Sequence, residues 1–313
     1  MYLCHRKFKG IGFMKEKTVG HLACFIAYAI FGINIIVCKD LTSSQLISPI
    51  ALFCLRSIGA GILFWLASCF IPQEKVEKKD YGKILSASLL GFFLTQMTFL
   101  IAIQDITPMD CSIVSSLSPI YTMFIAAYAL KEPITLRKVG GVIISLLGIL
   151  YLIMNSVTGI GNSVQTSLGG IILMILNSLC FSLYLGLFKP VIVKYSVITF
   201  MKWIFLFATV FSFPIACKEL MTFDYGQLSS TYLSELAFLI VCSTFITYFL
   251  IPVGQKRIRP TLVSMYSYVQ PIIAIVISIW VGMDTLSWQK ILAAAMVFGG
   301  VVMVNYSRSA KTA

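Results

Sequence analysis

Charged residues are scarce in this sequence, and acidic residues are the scarcest of them. Only 12% of the 313 residues are charged, with 12 Asp and Glu against 24 Lys and Arg, while 58% are hydrophobic and the mean hydropathy is +0.92. A soluble domain carries about 25% charged and 45–50% apolar residues. A water-soluble fold could not cover so much apolar surface, so the composition indicates an all-α integral membrane protein.

Patterns typical of metal sites and disulfide frameworks are also missing. The nine cysteines form no Cys-X-X-Cys motif, and the two histidines, His5 and His21, both lie near the N-terminus. Most of the cysteines lie in or beside apolar runs, where Cys behaves as a small apolar side chain. We therefore expect no bound metal and no cofactor.

The sequence also lacks the basic face of a nucleic-acid-binding protein. Its net charge is +12, but the Lys and Arg residues occur in short blocks between apolar runs, without interleaved aromatic residues. We therefore expect no nucleic-acid partner and interpret the blocks as loops that face the cytoplasm.

Long apolar runs dominate the chain. A helix needs about 20 mainly apolar residues to cross a bilayer, and ten windows qualify: 20–38, 47–70, 84–103, 111–130, 138–155, 168–188, 198–217, 233–252, 262–281 and 290–306. The first run is too long for a signal peptide and follows a basic tail over residues 1–19. We predict ten transmembrane helices in the cell (plasma or inner) membrane, with short tails at 1–19 and 307–313.

The basic residues are distributed unequally between the two sides of these windows. If the N-terminus is cytoplasmic, 19 of the 24 Lys and Arg residues lie on the cytoplasmic side, and only Lys39, Lys218 and Lys290 lie on the other side. The remaining two, Arg56 and Lys202, lie within windows. The positive-inside rule then places both termini in the cytoplasm.

The two halves of the chain resemble each other. At an offset of 150 residues, Phe31 and Lys39 fall on Phe181 and Lys189. At 152 residues, matches occur between Pro108 and Pro260, Pro119 and Pro271, Glu132 and Asp284, Lys138 and Lys290, and Gly148 and Gly300. Each half (20–155 and 168–306, joined by a linker at 156–167) holds five predicted spans. Because five is odd, the second half must be inverted, as in transporters built from inverted repeats.

Several motifs resemble the EamA-like transporters of the drug/metabolite transporter superfamily. In the first half these are Ser116-Leu-Ser-Pro-Ile-Tyr121, Lys131-Glu132-Pro-Ile-Thr135, Gly140-Gly141 and Leu147-Gly148. Their echo is Val269-Gln-Pro-Ile272, Gly282-Met-Asp284 and Phe298-Gly-Gly300. The resemblance covers residues 20–306 and implies two five-helix repeats that move small metabolites. The sequence departs from the family pattern at Phe31-Gly32, where Trp-Gly is usual, and at Met283-Asp284, where Gly-Glu is common.

Polar residues within the predicted spans are the candidates for substrate binding. A charge at the centre of a membrane helix costs about 2.5–3.5 kcal/mol on insertion scales, and Arg56 lies about nine residues into its window. A guanidinium there favours a substrate with a carboxylate or another anionic group, although a structural role for Arg56 stays open. The predicted substrate-binding set is Asn34, Arg56, Gln96, Tyr121, Asn177, Tyr184, Tyr248 and Gln270.

The acidic residues argue against proton coupling through a carboxylate at membrane depth. All twelve fall in predicted loops or at the ends of predicted helices, whereas proton-coupled carriers often use a buried acid as the relay.

The sequence therefore favours a secondary transporter of small polar metabolites, amino-acid-like or other small organic compounds, that works by alternating access. Its partners would be that solute and the membrane lipid. No catalytic nucleophile–base set or acid pair lies at membrane depth, so we expect no enzyme. A carrier that flips lipid conjugates is the main alternative, and a receptor, a subunit or an intramembrane enzyme is weaker. The sequence does not determine substrate identity, direction, coupling ion or oligomeric state.

The basic asymmetry generates a topology prediction. Reporter fusions after residue 160 should show an extracytoplasmic location, and fusions after residue 192 a cytoplasmic one, because the inverted second half begins between these points. The opposite result at either point would contradict the inverted repeat.

Overall fold

The structure is a computed structural model that describes residues 2–43, 47–130, 135–157, 166–222 and 229–306. Within these ranges the regular structure is entirely helical. The predicted tail at 307–313, most of the predicted linker, and Lys131 and Glu132 fall outside the described residues.

Twelve helical segments make up the described fold. They are α1 (Tyr2–Ser43), α2 (Pro49–Ser68), α3 (Lys78–Ala102), α4 (Pro108–Ser115), α5 (Ser118–Leu130), α6 (Leu136–Val157), α7 (Leu168–Leu187), α8 (Lys189–Lys194), α9 (Val197–Thr222), α10 (Ser230–Arg257), α11 (Pro260–Trp280) and α12 (Trp288–Tyr306).

Seven helices in the described part of the chain are long and apolar enough to cross a membrane. They are α2, α3, α7, α9, α10, α11 and the part of α1 from Glu16 to Ser43. The predicted window 111–130 is interrupted, because α4 ends at Ser115 and α5 begins at Ser118. Pro119 lies directly after this interruption, and its ring cannot donate the backbone hydrogen bond that a continuous helix would need there.

Short polar residues followed by proline set where several helices begin. The hydroxyl of Ser48 accepts from the backbone N–H of Ala51 at 3.3 Å, and the hydroxyl of Thr107 accepts from that of Asp110 at 3.2 Å. Each caps a helix whose first residue is proline, which has no N–H to satisfy. Each cap fixes the residue at which a connecting loop ends and a helix begins.

A wider, π-helical turn occurs within both α3 and α10. The π segments are Leu89–Leu94 and Leu239–Ile246. Thr95 and Thr244 donate their hydroxyls to the carbonyls of Leu90 and Leu239, five residues earlier, at 2.7 and 2.6 Å. Such turns shift the register of a helix and are frequent at functional sites.

Helices from the N-terminal part of the chain pack mainly on helices from the C-terminal part. Helix α1 contacts α10 and α11, α2 contacts α9 and α10, α3 and α5 contact α7, and α6 contacts α12. The fold is therefore an interleaved bundle, and α1, α3, α4, α5, α7, α10 and α11 surround its centre.

Helices α6 and α12 approach each other closely at Gly300. A β-carbon added there would lie against the side-chain oxygen of Ser145 and the carbonyl of Gly141, and only 2.7 Å from the backbone nitrogen of Ser145. A β-carbon added at the adjacent Gly299 would meet no other heavy atom within 4 Å. Only one of the two neighbouring glycines is thus required by packing.

This difference predicts opposite results for two adjacent substitutions. Gly300→Ala should destabilise the protein by about 1–3 kcal/mol, the usual cost of overpacking. Gly299→Ala should leave stability unchanged or raise it by up to about 1 kcal/mol, because alanine is the better helix former. Thermal unfolding of the two variants in detergent tests this. Equal effects would contradict the close approach.

Candidate functional site

A cavity at the centre of the bundle is lined by amide side chains from four different helices. Asn34 on α1, Gln96 on α3, Asn177 on α7 and Gln270 on α11 all face it, and the hydroxyl residues Thr95, Ser115 and Ser118 complete its polar surface. The cavity holds about 50 Å³ of positions for the centre of a water-sized sphere. One water needs roughly 10–15 Å³ by this measure, so the space fits a few waters or a small solute.

Aromatic rings form the rest of the wall. They are Tyr28, Phe31, Phe99, Phe181 and Tyr248, and Ile35 lies beside them. Phe31 is central, because its ring contacts those of Tyr28, Phe181 and Tyr248 edge-on at centroid distances of 5.9, 6.4 and 6.0 Å. The cavity therefore combines hydrogen-bonding groups with flat apolar surfaces.

Two buried polar atoms at this cavity have no hydrogen-bond partner among the described residues. They are the hydroxyl of Tyr28 and the side-chain oxygen of Gln96. The nitrogen of the Gln96 amide donates to the hydroxyl of Tyr248 at 2.9 Å. A buried polar atom left unsatisfied costs about 1–3 kcal/mol, so these atoms need a water or a bound solute as partner.

The structure brings five of the eight predicted substrate-binding residues together in this cavity: Asn34, Gln96, Asn177, Tyr248 and Gln270. The sequence reasoning missed Tyr28, Phe31, Ile35, Thr95, Phe99, Ser115, Ser118 and Phe181. Helical spacing offered a signal for part of this set, since Tyr28, Phe31 and Ile35 lie three and four residues apart and share one face of α1. The other lining residues come from different helices and have no such signal.

Arg56 lies behind the cavity wall and does not line it. Its side chain is 1% exposed, and its guanidinium donates to Thr244 Oγ1 at 2.9 Å, Ser243 Oγ at 3.3 Å and Cys38 Sγ at 3.7 Å. Ser243 and Thr244 belong to the π segment of α10. These hydrogen bonds therefore link α2 to α1 and to the π segment of α10, next to Asn34.

Tyr184 and Tyr121 also lie outside the lining set. Tyr184 packs so closely on Gly91, in the π segment of α3, that any β-carbon on Gly91 would collide with its ring. Tyr121 is half-buried and packs against the apolar core. Lys202 is buried as well, and its ammonium lies 5.0 Å from the ring centroid of Trp65, in cation–π range.

A buried ionic cluster that the sequence did not predict joins α4 and α12. The Lys290 ammonium lies 2.5 Å from an oxygen of Asp284 and 3.9 Å from one of Asp110, and these side chains are 2%, 3% and 0% exposed. The hydroxyl of Thr166 donates to Asp110 at 2.6 Å, and the backbone N–H of Met109 donates to Asp284 at 3.3 Å. We call Asp110, Asp284 and Lys290 the Lys290 cluster.

Local sequence explains how Asp284 reaches this position. Helix α11 ends at Trp280, and Gly282, two residues later, has a φ of +77°, in the left-handed region that favours glycine. The backbone N–H of Met283 then donates to the carbonyl of Ser278 at 2.9 Å. This turn directs the chain back over the helix end, so Asp284 meets Lys290 six residues later.

Comparison with known proteins identifies the class. The sequence model described as "EamA-like transporter family" matches residues 18–154 and again residues 168–306. The two matches together cover most of the chain. This protein belongs to the EamA-like transporter family and is a multi-pass membrane protein.

Similar curated proteins are transporters and not enzymes. YetK of Bacillus subtilis (strain 168) is 23% identical over 308 residues, which cover 94% of this chain and 89% of YetK. YicL of Salmonella typhimurium (strain LT2), described as an inner membrane transporter, is 21% identical over 93% of this chain and 97% of its own length. Both are described as uncharacterized, so they show the transporter class without a substrate.

A solved crystal structure shares the fold. It superposes with a TM-score of 0.62 at 15% sequence identity, over 93% of this chain and 96% of the other. At this identity the similarity concerns the fold alone.

The Lys290 cluster generates a stability prediction. Lys290→Met leaves two buried carboxylates without their ammonium, and removing one partner of a buried pair costs about 3–5 kcal/mol. Adding Asp284→Asn to that variant should recover part of the loss. The control is Lys83→Met, whose lysine is 60% exposed and pairs with Asp80 at 3.2 Å, because Asp80 keeps its hydrogen bonds from Lys194 and Tyr195. Similar losses for Lys290→Met and Lys83→Met in thermal unfolding would contradict the cluster's role.

Proposed function

We propose that this protein is a secondary transporter that moves a small polar metabolite across the cell membrane by alternating access, with the central cavity as its substrate site. The observation that carries the proposal is the pair of unsatisfied buried atoms, on Tyr28 and Gln96, in a cavity lined by four amides. Other buried atoms in the described fold, such as Ser57 Oγ and Ser178 Oγ, also lack a partner, but the Tyr28 and Gln96 atoms face one shared cavity. A solute bound in that cavity would satisfy both of them.

The proposed architecture is ten spans in two inverted five-helix repeats, at 20–155 and 168–306. The two family matches and the π segments, 150 residues apart, support it. Two cavity contacts join counterparts of the predicted repeat: Phe31 lies against Phe181, and Gln96 bonds to Tyr248, 152 residues later. Equivalent residues meet in this way where a pseudo-twofold axis passes between the repeats, which is where such transporters bind substrate.

Two lysine contacts lie near opposite ends of α1, and we expect an alternating cycle to break them in turn. At one end the Lys39 ammonium donates to the carbonyls of Ile103 and Gln104, both at 2.9 Å. At the other end Lys189, the predicted counterpart of Lys39, donates to the carbonyl of Ile258 at 2.7 Å. The matched lysines thus cap helix ends on opposite sides, as an inverted repeat requires. We assign the Lys39 end to the extracytoplasmic side, with both termini cytoplasmic.

We further propose that transport uses no carboxylate in the cavity. None of the described lining residues is acidic, and the buried acids Asp110 and Asp284 are engaged with Lys290. Facilitated transport, or coupling through another group, is the expected mode. The small volume favours a compact metabolite over a lipid conjugate.

Filling the cavity should stop transport without unfolding the protein. Ser115 lines the cavity, and its hydroxyl donates only within its own helix, to the carbonyl of Cys111 at 2.8 Å. We expect Ser115→Leu to lower uptake of pooled metabolites into proteoliposomes at least about tenfold, at equal amounts of folded protein.

The matched control is Ser86→Leu. Ser86 is exposed, lies outside the cavity and also donates to a carbonyl four residues earlier, that of Gly82 at 2.9 Å. Metabolite uptake by the Ser86→Leu protein should equal that of the wild type. If Ser115→Leu transports normally, or if the wild type moves no solute with or without ion gradients, the proposed function is wrong.

A further inference from the structure

The amide of Asn34 is held in one orientation. Arg56 donates to Ser243 and to Cys38, and each of these donates in turn to the Asn34 oxygen, at 2.5 Å from Ser243 and 3.5 Å from Cys38. A guanidinium can only donate, so the Ser243 hydroxyl must accept from it and give its own hydrogen to Asn34. The carbonyl of Asn34 is therefore occupied, and its NH₂ group is the part left for the cavity.

The amide of Asn177, across the cavity on α7, is held in the opposite sense. Its nitrogen donates to the backbone carbonyl of Thr95 at 2.5 Å. A carbonyl can only accept, so this contact identifies the nitrogen and leaves the side-chain oxygen for the cavity. Asn177 thus presents an acceptor where Asn34 presents a donor.

A third amide adds an acceptor, and the described lining residues carry no formal charge. The unsatisfied oxygen of Gln96, on α3, is a second acceptor. None of the lining residues in the described part of the chain is Lys, Arg, Asp or Glu. A solute with a net charge would lose its hydration without gaining a counter-ion at the wall, which is costly. The nearby Arg56 lies behind the wall, and its hydrogen bonds reach Asn34 through Ser243 and Cys38.

We propose that the cavity selects solutes without net charge that carry a hydrogen-bond acceptor and an N–H donor together, as an amide does. Asn34 donates to the solute oxygen, and Asn177 and Gln96 accept from its N–H. Arg56 is a positioning residue that holds the Asn34 amide in its donating orientation. This inference rests on the proposed substrate site, but its test measures binding and needs no transport.

Three small probes separate the two requirements. Propanamide carries both groups, propanoate only the acceptor and ethylamine only the donor. Binding of each to the full-length protein in detergent is measured from the rise in unfolding temperature with probe concentration. We expect propanamide to bind at least about tenfold more tightly than either of the others, since one lost hydrogen bond to a buried group costs roughly 1–3 kcal/mol.

Two variants then assign the roles. Asn34→Asp keeps an oxygen for Ser243 and Cys38 but places a second oxygen towards the cavity. This variant should weaken the binding of propanamide and propanoate at least about tenfold. It should leave the binding of ethylamine unchanged or make it tighter. Asn177→Leu removes the acceptor, while the carbonyl of Thr95 still accepts from the hydroxyl of Thr98 at 3.1 Å. This variant should weaken the binding of propanamide and ethylamine and leave the binding of propanoate unchanged.

Asn155→Leu is the control for the second variant. Asn155 is also a half-buried helical residue that donates to a backbone carbonyl, that of Tyr151 at 2.7 Å, and it lies outside the cavity. It should leave the binding of all three probes unchanged. A variant that weakens all three probes equally, an Asn34→Asp protein that binds propanamide normally, or a wild type that binds no probe would overturn the inference. Probe selectivity without uptake in proteoliposomes would instead refute the proposed function alone.

Discussion

The buried guanidinium of Arg56 determines how the centre of this bundle is organised. A charge in a low-dielectric interior is tolerated only when its donors are satisfied. Arg56 uses neutral partners for this purpose: Cys38 on α1, and Ser243 and Thr244 in the π segment of α10. The same contacts hold three helices together and orient Asn34 at the cavity. The packing of three helices and the proposed recognition of the solute therefore depend on one group.

The π segments of α3 and α10 make different contacts. In α10 the π segment presents hydroxyls to Arg56, whereas in α3 the equivalent segment presents Gly91 and Phe92, which pack against Tyr184 and Phe205. One side of the cavity is thus supported by a charge and hydroxyls, and the other by stacked aromatic rings.

The sequence predicted the class and the segments well, because the physics of the bilayer acts on local composition. Apolar runs of about 20 residues must be helical in lipid, so most predicted windows fall on observed helices. The break before Pro119 falls in a serine-rich stretch, Ser115-Ser-Leu-Ser118, and the proline after it cannot donate a backbone hydrogen bond. The amides Asn34, Gln96, Asn177 and Gln270 stood out as candidates because polar side chains are rare in such runs.

The sequence by itself determined that the chain is a helical membrane protein of the EamA-like family with polar residues at membrane depth. Only the tertiary structure decided which of them share a cavity. Arg56 and Tyr248 look equally central along the chain, but the helices place Tyr248 in the wall and Arg56 behind it. Likewise, Asp110 and Lys290 lie in the first turns of their helices, yet they meet in a buried cluster. Such contacts join residues up to about 200 positions apart, and no local pattern specifies which helix faces lie against each other.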